Sequence, residues 1–572
     1  MFLIKTMWLK NSQLKRLPMK TTKFTFLFCS ILFAQSISLR AQLIMAMPEN
    51  KPESIGTAVN TEYSELNPVM APDGRILYFG RKNHPSNKFG MAGTEQIAGS
   101  QDIWFSESVM GAWTTARRMP ESLNRDQYNT IFSVSPDGQT ILVKGAYVNG
   151  EYETRGFSIA KKNGSGWDIP KKLEIPKYEK LSKGKNEVGY LSNDGKTLLM
   201  AFSEKKNSDE DDIYASFLEK DGSWTPPMNL GDDVNTDFTE TTPFLAADGK
   251  TLYFSSNREG GKGSNDIWVC KRKDEKWINW TAPVNIGEPI NTDQYDAYYT
   301  ISAAGDYAYF VSGNNSAGKK DIFRLKIEQP KPVETPATTT SPLAGGEPKK
   351  VEPVKTEPTK SDPVVLVSGK VIDGKTGKVP TNAKIIYEDL TNGNELGVAT
   401  PDPISGIYKI VLPYGKNYGI TTKIDGYVGT SQNIDLSKIT GKYLEVEGKD
   451  MTVTPVEVGV KIQMNNIFFE FGKALLKEES YPELKRIAEF FKTNKKIVSE
   501  ISGHTDNVGS DEVNNKLSQE RADVVRNYLL TQNVPAERIS AKGYGKNKPK
   551  VANDTPENQA INRRVEFEIL KN

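Results

Sequence analysis

The chain of 572 residues has little of the material that most enzymes and metal sites use, with two cysteines and two histidines. Cys29 falls in an N-terminal segment that we expect to be removed, so Cys270 becomes the only thiol and an internal disulfide is excluded. Two histidines and no G-x-S-x-G elbow argue against a Ser-His-Asp hydrolase. Beyond Ala41 no apolar run is long enough to cross a bilayer as a helix, which excludes a polytopic membrane protein.

The charges are balanced in number but not in position. Lys and Arg total 74 against 72 Asp and Glu, yet the segment 1–41 holds seven basic residues and no acidic one. Without that segment 67 basic residues face 72 acidic ones, a net charge of −5. The sequence therefore predicts no basic surface and no nucleic-acid partner.

Residues 1–41 predict an export signal. A basic stretch precedes the apolar run Phe24–Ala34, and small residues follow it up to Ala41. The run is too short to span a bilayer but has the length of a signal h-region. An uncleaved membrane anchor is the alternative, and the cleavage position stays open. We expect the mature protein to lie outside the cytoplasm.

Residues 329–362 predict a linker. They contain seven prolines in 34 positions, together with Thr, Lys and Glu and almost nothing to bury. Such a segment is semi-extended and solvated. It divides the chain into a large front part, 42–328, and a smaller back part, and we expect it, together with the domain that follows it, to set the reach between the two ends of the protein.

The front part repeats at nearly regular intervals. Each unit has a turn, in most units Asp-Gly, followed by an apolar strand, and four of the five units then have Asp-Ile-aromatic. The turns lie at Ala71–Gly74, Ser135–Gly138, Ser192–Gly195, Ala246–Gly249 and Ser302–Asp306. Asp-Gly before a β-rich run is hairpin chemistry, and this spacing of the units is typical of propeller blades. The motifs resemble the PD40/TolB-like β-propellers, with five blades, or six if one unit has lost its motifs.

A second recurrent segment predicts how the ring closes. Pro227–Phe238 and Pro283–Tyr295 end one unit and lead into the next, whereas the fifth unit stops at Ile327 without such a tail. The similar segment Pro52–Tyr63 precedes the first unit. We therefore expect the N-terminal piece to complete the last blade.

Residues 363–456 predict a small β-sandwich. Short strands flank the turn at Asp373-Gly374, and two more flank Pro413–Lys416. The pattern GxVxDxxTG followed by GxYxxxLPxGxxYxI resembles the carboxypeptidase regulatory-like family, which implies a transthyretin-like fold and a spacer role.

Residues 457–572 predict an α+β domain with the order β-α-β-α-β-β, its helices covering one face of the sheet. The predicted elements are a strand at 465–471, a helix at 480–494, a strand at 496–503, a helix at 515–533 and strands at 538–545 and 563–569.

This last domain carries the longest motif, GHTDNVGSDEVNNKLSQERADVV at Gly503–Val525. The motif resembles the OmpA-like peptidoglycan-binding family, and the resemblance extends over nearly the whole domain to the C-terminus. The family binds the diaminopimelate of the peptidoglycan stem peptide through an Asp and an Arg, which correspond to Asp506 and Arg521. Thr505 also falls in a family position.

The residue chemistry agrees with that resemblance. The free end of diaminopimelate is an ammonium and a carboxylate on one carbon, and Arg offers a carboxylate two parallel bonds that Lys cannot. Asn514 either caps the following helix or binds the ligand, and Arg564 either forms an ion pair in the sheet or contacts the ligand. We expect His504 to be a hydrogen-bonded structural residue and predict no metal and no cofactor.

The sequence thus predicts a non-catalytic, periplasmic protein associated with the cell wall and, indirectly, with the outer membrane. Peptidoglycan is the predicted partner of the last domain, and an envelope protein or glycan that of the propeller. The domain order resembles Bacteroidetes envelope proteins, including the wall-binding, PorE-like component of type IX secretion. The alternative is a wall-tethered glycosidase or peptidase-like enzyme that uses acidic pairs such as Asp211-Asp212 or Asp232-Asp233. The run Ser208–Asp212 is interpreted as a solvated loop rather than a calcium site.

Overall fold

The computed structural model describes residues 51–87, 99–164, 166–312, 320–327, 361–439 and 443–572. The predicted export signal and nearly all of the predicted linker lie outside these ranges. Residues Pro52–Asn572 form one compact unit, separate from the segment that ends at Lys51. In the described part, no helix combines the length and apolar character needed to cross a bilayer.

The front part contains five antiparallel sheets. The short strand β1 (Glu53–Ser54) precedes the first sheet, and α1 (Tyr178–Leu181) precedes the third. The strands of the first two sheets are β2 (Ser64–Met70), β3 (Ile76–Lys82), β4 (Gln101–Val109), β5 (Ala112–Trp113), β6 (Arg117–Arg118), β7 (Ile131–Val134), β8 (Thr140–Val148), β9 (Glu151–Asn163), β10 (Gly166–Trp167) and β11 (Lys171–Lys172). The strands of the other three are β12 (Val188–Leu191), β13 (Thr197–Phe202), β14 (Asp212–Phe217), β15 (Met228–Asn229), β16 (Glu240–Leu245), β17 (Thr251–Ser256), β18 (Asp266–Lys271), β19 (Val284–Asn285), β20 (Ala297–Ile301), β21 (Tyr307–Ser312) and β22 (Asp321–Lys326).

The five sheets follow one another in a closed order. Each sheet's first long strand contacts that of the next sheet, in the sequence β2, β7, β12, β16, β20, and β20 contacts β2 again. The closing sheet is built from both ends of this part, since β1 pairs with β22 in the register Glu53↔Arg324. This is the pairing predicted from the recurrent N-terminal segment. It ties the two ends of the region together.

The middle part consists of two sheets around one apolar core, to which Val367, Tyr387, Ile410 and Ile420 contribute. One sheet has the order β26-β23-β31-β28 with β30 beside β23, and the other has the order β25-β24-β27-β29. The strands are β23 (Val364–Asp373), β24 (Lys384–Asp389), β25 (Asn394–Ala399), β26 (Ile407–Pro413), β27 (Asn417–Lys423), β28 (Tyr427–Gly429), β29 (Ser431–Asp435), β30 (Leu444–Val446) and β31 (Met451–Pro455). The two predicted turns therefore connect one sheet to the other rather than forming hairpins.

The C-terminal part has the order β-α-β-α-β-α-β. Its elements are β32 (Lys461–Met464), α2 (Tyr481–Thr493), β33 (Val498–Gly503), α3 (Asp511–Thr531), β34 (Ile539–Gly543), α4 (Pro556–Asn562) and β35 (Val565–Lys571), with short 3-10 turns at Glu478–Ser480 and Ala536–Arg538. The sheet order is β32-β35-β33-β34, with β33 and β34 parallel.

Two sequence predictions for this part are wrong. The first strand is not 465–471 but β32, because Ile462 and Met464 fill the core while Phe468 is held outside the sheet by two hydrogen bonds with the Ser480 hydroxyl. The helix α4 was missed as well. Its signals are in the sequence, since Thr555 caps it by accepting from Asn558 N and Pro556 is its first residue.

The middle part packs directly on both of the other parts. Turns of the five-sheet region face the middle part, where Asp73 pairs with Lys409 at 2.5 Å and Asp137 accepts from Thr400 N at 2.7 Å. On its other side the middle part meets α2, through an ion pair between Glu388 and Arg486. The expectation that the linker sets the spacing is therefore wrong, because the parts that flank it are already in contact.

Candidate functional site

The predicted site lies on the loop between β33 and α3. Gly503 ends β33 where the strand passes α3, and a Cβ there would overlap the carbonyl oxygen of Ser518. The loop continues through Gly509, whose φ of +97° favours glycine, to Ser510. The Ser510 side chain accepts a hydrogen bond from Val513 N and begins the helix. The helix therefore begins before the predicted residue 515, and the loop is short and fixed at both ends.

Asp506 is buried in this loop, 8% exposed, and its carboxylate is oriented from two sides. Its Oδ1 accepts from Val508 N at 3.0 Å, and its Oδ2 accepts from the Arg563 guanidinium at 2.7 Å. The Arg563 side chain is 45% exposed, so this ion pair opens to solvent on one side. Arg563 was not among the predicted site residues. The sequence offers no signal that separates it from its neighbour Arg564.

Arg521 projects from α3 into the same electrostatic environment. Burial and the positive charge of Arg563 lower its pKa, and the Asp506 carboxylate acts in the opposite direction. Nε donates to Lys473 O at 3.1 Å, and the guanidinium lies 4.9 Å from the Phe469 ring. Among the described residues that is its only hydrogen bond, so both terminal nitrogens are available to a ligand.

Thr505 and Asn514 hold the loop rather than line an opening. Both are buried, at 4% exposure each. The Thr505 hydroxyl donates to Asp506 O, and the Asn514 amide donates to Val508 O at 3.0 Å. Since Ser510 is the helix cap, the capping role considered for Asn514 is wrong. Both side chains fix the backbone that carries Asp506.

Arg564 faces the sheet. Its Nε donates to Glu566 at 2.6 Å, its other nitrogens donate to the carbonyls of Asn562 and Lys548, and its side chain is 7% exposed. Of the two roles left open by the sequence, the structure shows the ion pair.

His504 is buried, 3% exposed. The expectation that it is a hydrogen-bonded residue is wrong. Neither ring nitrogen has a partner among the described residues. The ring stacks on Tyr544 with centroids 5.5 Å apart, and Nε2 lies 3.7 Å from Glu566. Burial, reinforced by the positive charge of Arg564, lowers the pKa of His504 to about 4, so the ring is neutral at pH 7.

Exposed apolar side chains lie near these residues along the chain. Phe471 is fully exposed, and Val508 and Val513 are 64% and 59% exposed. Phe471 precedes Lys473, whose carbonyl accepts from Arg521. This part of the domain therefore offers one carboxylate, two guanidinium groups and exposed apolar side chains, which suit a ligand that combines an anionic group with aliphatic surface.

The acidic run at 208–212 is a solvated loop, as predicted, at Asp209 and Glu210 but not at Asp211. Asp209 and Glu210 do form surface ion pairs with Lys185 and Lys205, at 2.6 Å each. Asp211, in contrast, is fully buried and bonded to Asn186. No set of three or more His, Cys, Asp or Glu side chains positioned for a metal ion occurs within the described ranges.

Comparison with known proteins gives matches in the C-terminal part. Residues 468–563 match the family model described as the OmpA family. Outer membrane porin F of Pseudomonas aeruginosa is 37% identical over 142 residues, which are 25% of this chain and 40% of the porin. The probable lipoprotein YiaD of Escherichia coli is 34% identical over 147 residues, 26% of this chain and 66% of that protein.

Among solved structures, the peptidoglycan-associated lipoprotein from Burkholderia pseudomallei is 26% identical, with 18% of this chain and 88% of that chain covered and a TM-score of 0.17. The chain spans less than half of the length of two of these relatives, 40% of the P. aeruginosa porin and 35% of porin F of Pseudomonas fluorescens. The shared part is the region that contains Asp506 and Arg521, and the C-terminal domain of this protein is an OmpA-like domain.

Proposed function

We propose that this protein is a non-catalytic component of the cell envelope that binds peptidoglycan through its OmpA-like domain. In this proposal Asp506 accepts hydrogen bonds from the ammonium of diaminopimelate, and Arg521 donates two parallel bonds to its carboxylate. Thr505 and Asn514 hold the loop, and Arg563 orients Asp506. The protein lies in the periplasm, associated with the cell wall and indirectly with the outer membrane.

The observation that carries the proposal is the electrostatic interaction of the Asp506 carboxylate with Arg521, whose two terminal nitrogens make no hydrogen bond among the described residues. Arg563 bonds that carboxylate and Arg521 interacts with it electrostatically, and the repulsion between the two arginines contributes to the lowered pKa of Arg521. The carboxylate of the ligand would relieve the repulsion between the two arginines, and the ammonium of the ligand would bind the Asp506 carboxylate, which is already oriented. A structural ion pair would need only Arg563, and the structural contacts of Arg521, with Lys473 O and the Phe469 ring, leave its two terminal nitrogens without a hydrogen-bond partner among the described residues.

We further propose that the five sheets form a PD40/TolB-like β-propeller and that the middle part is a transthyretin-like spacer. The closed order of the first strands and the shared last sheet support a propeller. The propeller then presents a face to an envelope protein or a glycan, in a secretion complex of the PorE type or in general envelope maintenance.

Conservative substitutions test the wall-binding site. Asp506→Asn and Arg521→Lys keep the size or the charge but remove the acceptor pair or the planar fork. Each should lower the amount of full chain that sediments with purified peptidoglycan at least tenfold, while the melting temperature stays within a few degrees.

A matched control exists on the same helix. Arg526 also donates through Nε to a backbone carbonyl, that of Ile539. Arg526→Lys should sediment as the unchanged protein does. Full retention of Asp506→Asn and Arg521→Lys on peptidoglycan would overturn the proposed site.

A further inference from the structure

A cavity of about 590 Å³ opens at the face of the five-sheet region where the first strands of the sheets begin. All five sheets contribute to its lining, for example through Asn67, Tyr128, Glu187, Thr241 and Tyr298. The turns that contact the middle part lie at the other end of these strands. The cavity therefore stays uncovered when the three parts pack together, and its volume is within the range of small-molecule sites.

Asp211 lines this cavity in a way that the repeat does not require. The recurring Asp of the third unit is Asp212, and the position before it is Gln101 in the first unit and Asn265 in the fourth. Asp211 is fully buried, its Oδ2 accepts from Asn186 at 3.1 Å, and its Oδ1 has no partner among the described residues. A buried carboxylate oxygen without a donor costs stability, so such a group at a variable position indicates a ligand.

Glu187 is the second such group. It occupies a recurring acidic position, where Glu65 and Glu240 have each oxygen bonded to a threonine four residues earlier or to an arginine. In the third unit that threonine is replaced by Lys183. Glu187 Oε2 accepts from Gly156 N, the Tyr178 hydroxyl and Arg155 Nε, while Oε1 is buried with no partner in the described part of the chain.

The other residues that line the cavity indicate which kind of ligand could donate hydrogen bonds to these two carboxylate oxygens. Three cations and three carboxylates line the cavity, so its formal charge is zero: Lys144, Arg155, Lys185, Glu187, Asp209 and Asp211. Arg155 and Lys185 are already engaged, by the carbonyls of Gly184 and Asn186 and by Asp209. An ionic ligand therefore finds no complementary net charge, whereas hydroxyl groups can donate to both free oxygens.

Two tyrosines provide flat surfaces at this opening. Tyr128 and Tyr152 line the cavity and are 41% and 40% exposed, so their rings are accessible to a ligand. Side-chain amides from other sheets, such as Gln101 and Asn257, add paired donors and acceptors. Accessible aromatic faces next to amides and carboxylates are what a pyranose ring, apolar on its faces and hydroxyl-rich at its edge, can use.

We propose that this cavity binds a neutral saccharide, with Glu187 and Asp211 accepting from its hydroxyl groups and Tyr128 and Tyr152 packing on its ring. The inference rests on the proposed role of the five-sheet region as a partner-presenting module, and it names the partner's class. Burial raises the pKa of Asp211 to about 6, in agreement with a buried carboxyl of which one oxygen lacks a donor among the described residues. The saccharide comes either from the glycan strands of the wall or from a separate polysaccharide.

The test is calorimetric titration of the full chain with four named probes: chitotetraose for the wall glycan, and cellotetraose, maltotetraose and mannotetraose for other polysaccharides. Asp211→Asn and Glu187→Gln are the test variants. Asp232→Asn is the matched control, because Asp232 is an exposed carboxylate outside the cavity.

We expect saturable binding of at least one probe, weakened at least tenfold in both test variants and unchanged in the control. The melting temperature of Asp211→Asn should be equal or higher, because a merely structural carboxylate would lower it when replaced.

The inference would be overturned by any of three results. These are that none of the four probes saturates, that all variants bind equally, or that the polyamine spermidine binds instead. Sedimentation with peptidoglycan separates this outcome from the wall-binding proposal, because Arg521→Lys should lose peptidoglycan but keep the tetrasaccharide. Recovery of the probe intact is expected. Its hydrolysis, lost in Asp211→Asn, would support the site but contradict the non-catalytic function.

Discussion

The Asp506 carboxylate lies 2.7 Å from the Arg563 guanidinium, and Arg521 shares the electrostatic environment of both. Arg563 holds one carboxylate oxygen and leaves the second to a backbone amide. The pair therefore fixes the direction of the carboxylate before any ligand arrives. Such preorganisation reduces the entropy that binding must lose.

Replacement of Arg563 should weaken peptidoglycan binding less than replacement of Arg521. In Arg563→Ala the Asp506 carboxylate keeps its bond from Val508 N but loses its orienting cation, so we expect a three- to tenfold loss in sedimentation assays. Stability should change by less than about 1 kcal/mol, because the Arg563 side chain is half exposed. Equal losses for Arg563→Ala and Arg521→Ala would indicate that Arg563 itself holds the ligand.

Arg564→Ala should show the opposite pattern. The Arg564–Glu566 pair is largely buried, and removal of one partner leaves the other carboxylate without its cation. We expect the free energy of unfolding of the domain to fall by about 2–4 kcal/mol in denaturant titrations, with peptidoglycan binding retained by the folded fraction. A loss of binding with unchanged stability would return Arg564 to the ligand site.

Gly503→Ala should destabilise the same domain. The added Cβ overlaps the Ser518 carbonyl oxygen, so β33 and α3 must move apart, at a cost of about 1–3 kcal/mol. Gly166→Ala is the control, because its nearest atom, Asn163 O, is 3.7 Å from the added Cβ. Thermal unfolding of both variants measures the difference, and equal melting temperatures would contradict the close approach.

The stability of the C-terminal domain should fall as the pH drops from 6.5 towards 4. The pKa of His504 is lowered to about 4 in the folded protein, so the unfolded chain binds more protons in this interval. The steepest loss should be about 1.4 kcal/mol per pH unit. The groups that act on the ring electrostatically are Arg564, Glu566, Lys548 and Lys461.

His504→Phe keeps the stack on Tyr544 and removes the titrating group. Denaturant titrations between pH 4 and 7 should show a flatter profile for this variant, and Glu566→Gln checks the contribution of the neighbouring carboxylate. A profile as steep as that of the unchanged protein would assign the pH dependence to other groups.

The sequence predicted the elements with strong periodicity and missed those decided by tertiary packing. The recurrent turns and the closing segment located the five sheets, because each turn carries its own local chemistry. The strand β32 was misplaced because the more apolar segment 465–471 competed with the alternation of Ile462 and Met464. Tertiary hydrogen bonds, invisible in the sequence, hold that segment out of the sheet.

The candidate site was predictable in part for a similar reason. The motif named Asp506 and Arg521, but the choice between Arg563 and Arg564 depends on how the chain enters β35 after α4, a helix that was not predicted. The sequence analysis did not distinguish Asp211 from the acidic residues on either side of it. Comparison of the units shows that only Asp212 repeats, and this signal was available in the sequence.

The most direct test of the wall-binding account is the affinity of the full chain for two soluble stem peptides that differ only at the third residue. One has meso-diaminopimelate and the other has lysine, which keeps the ammonium but lacks the second carboxylate. Binding to the first should be at least tenfold tighter, a difference of about 1.4 kcal/mol, and Arg521→Lys should reduce that preference. Equal affinity for the two peptides would contradict the assignment of Asp506 and Arg521 as the diaminopimelate site.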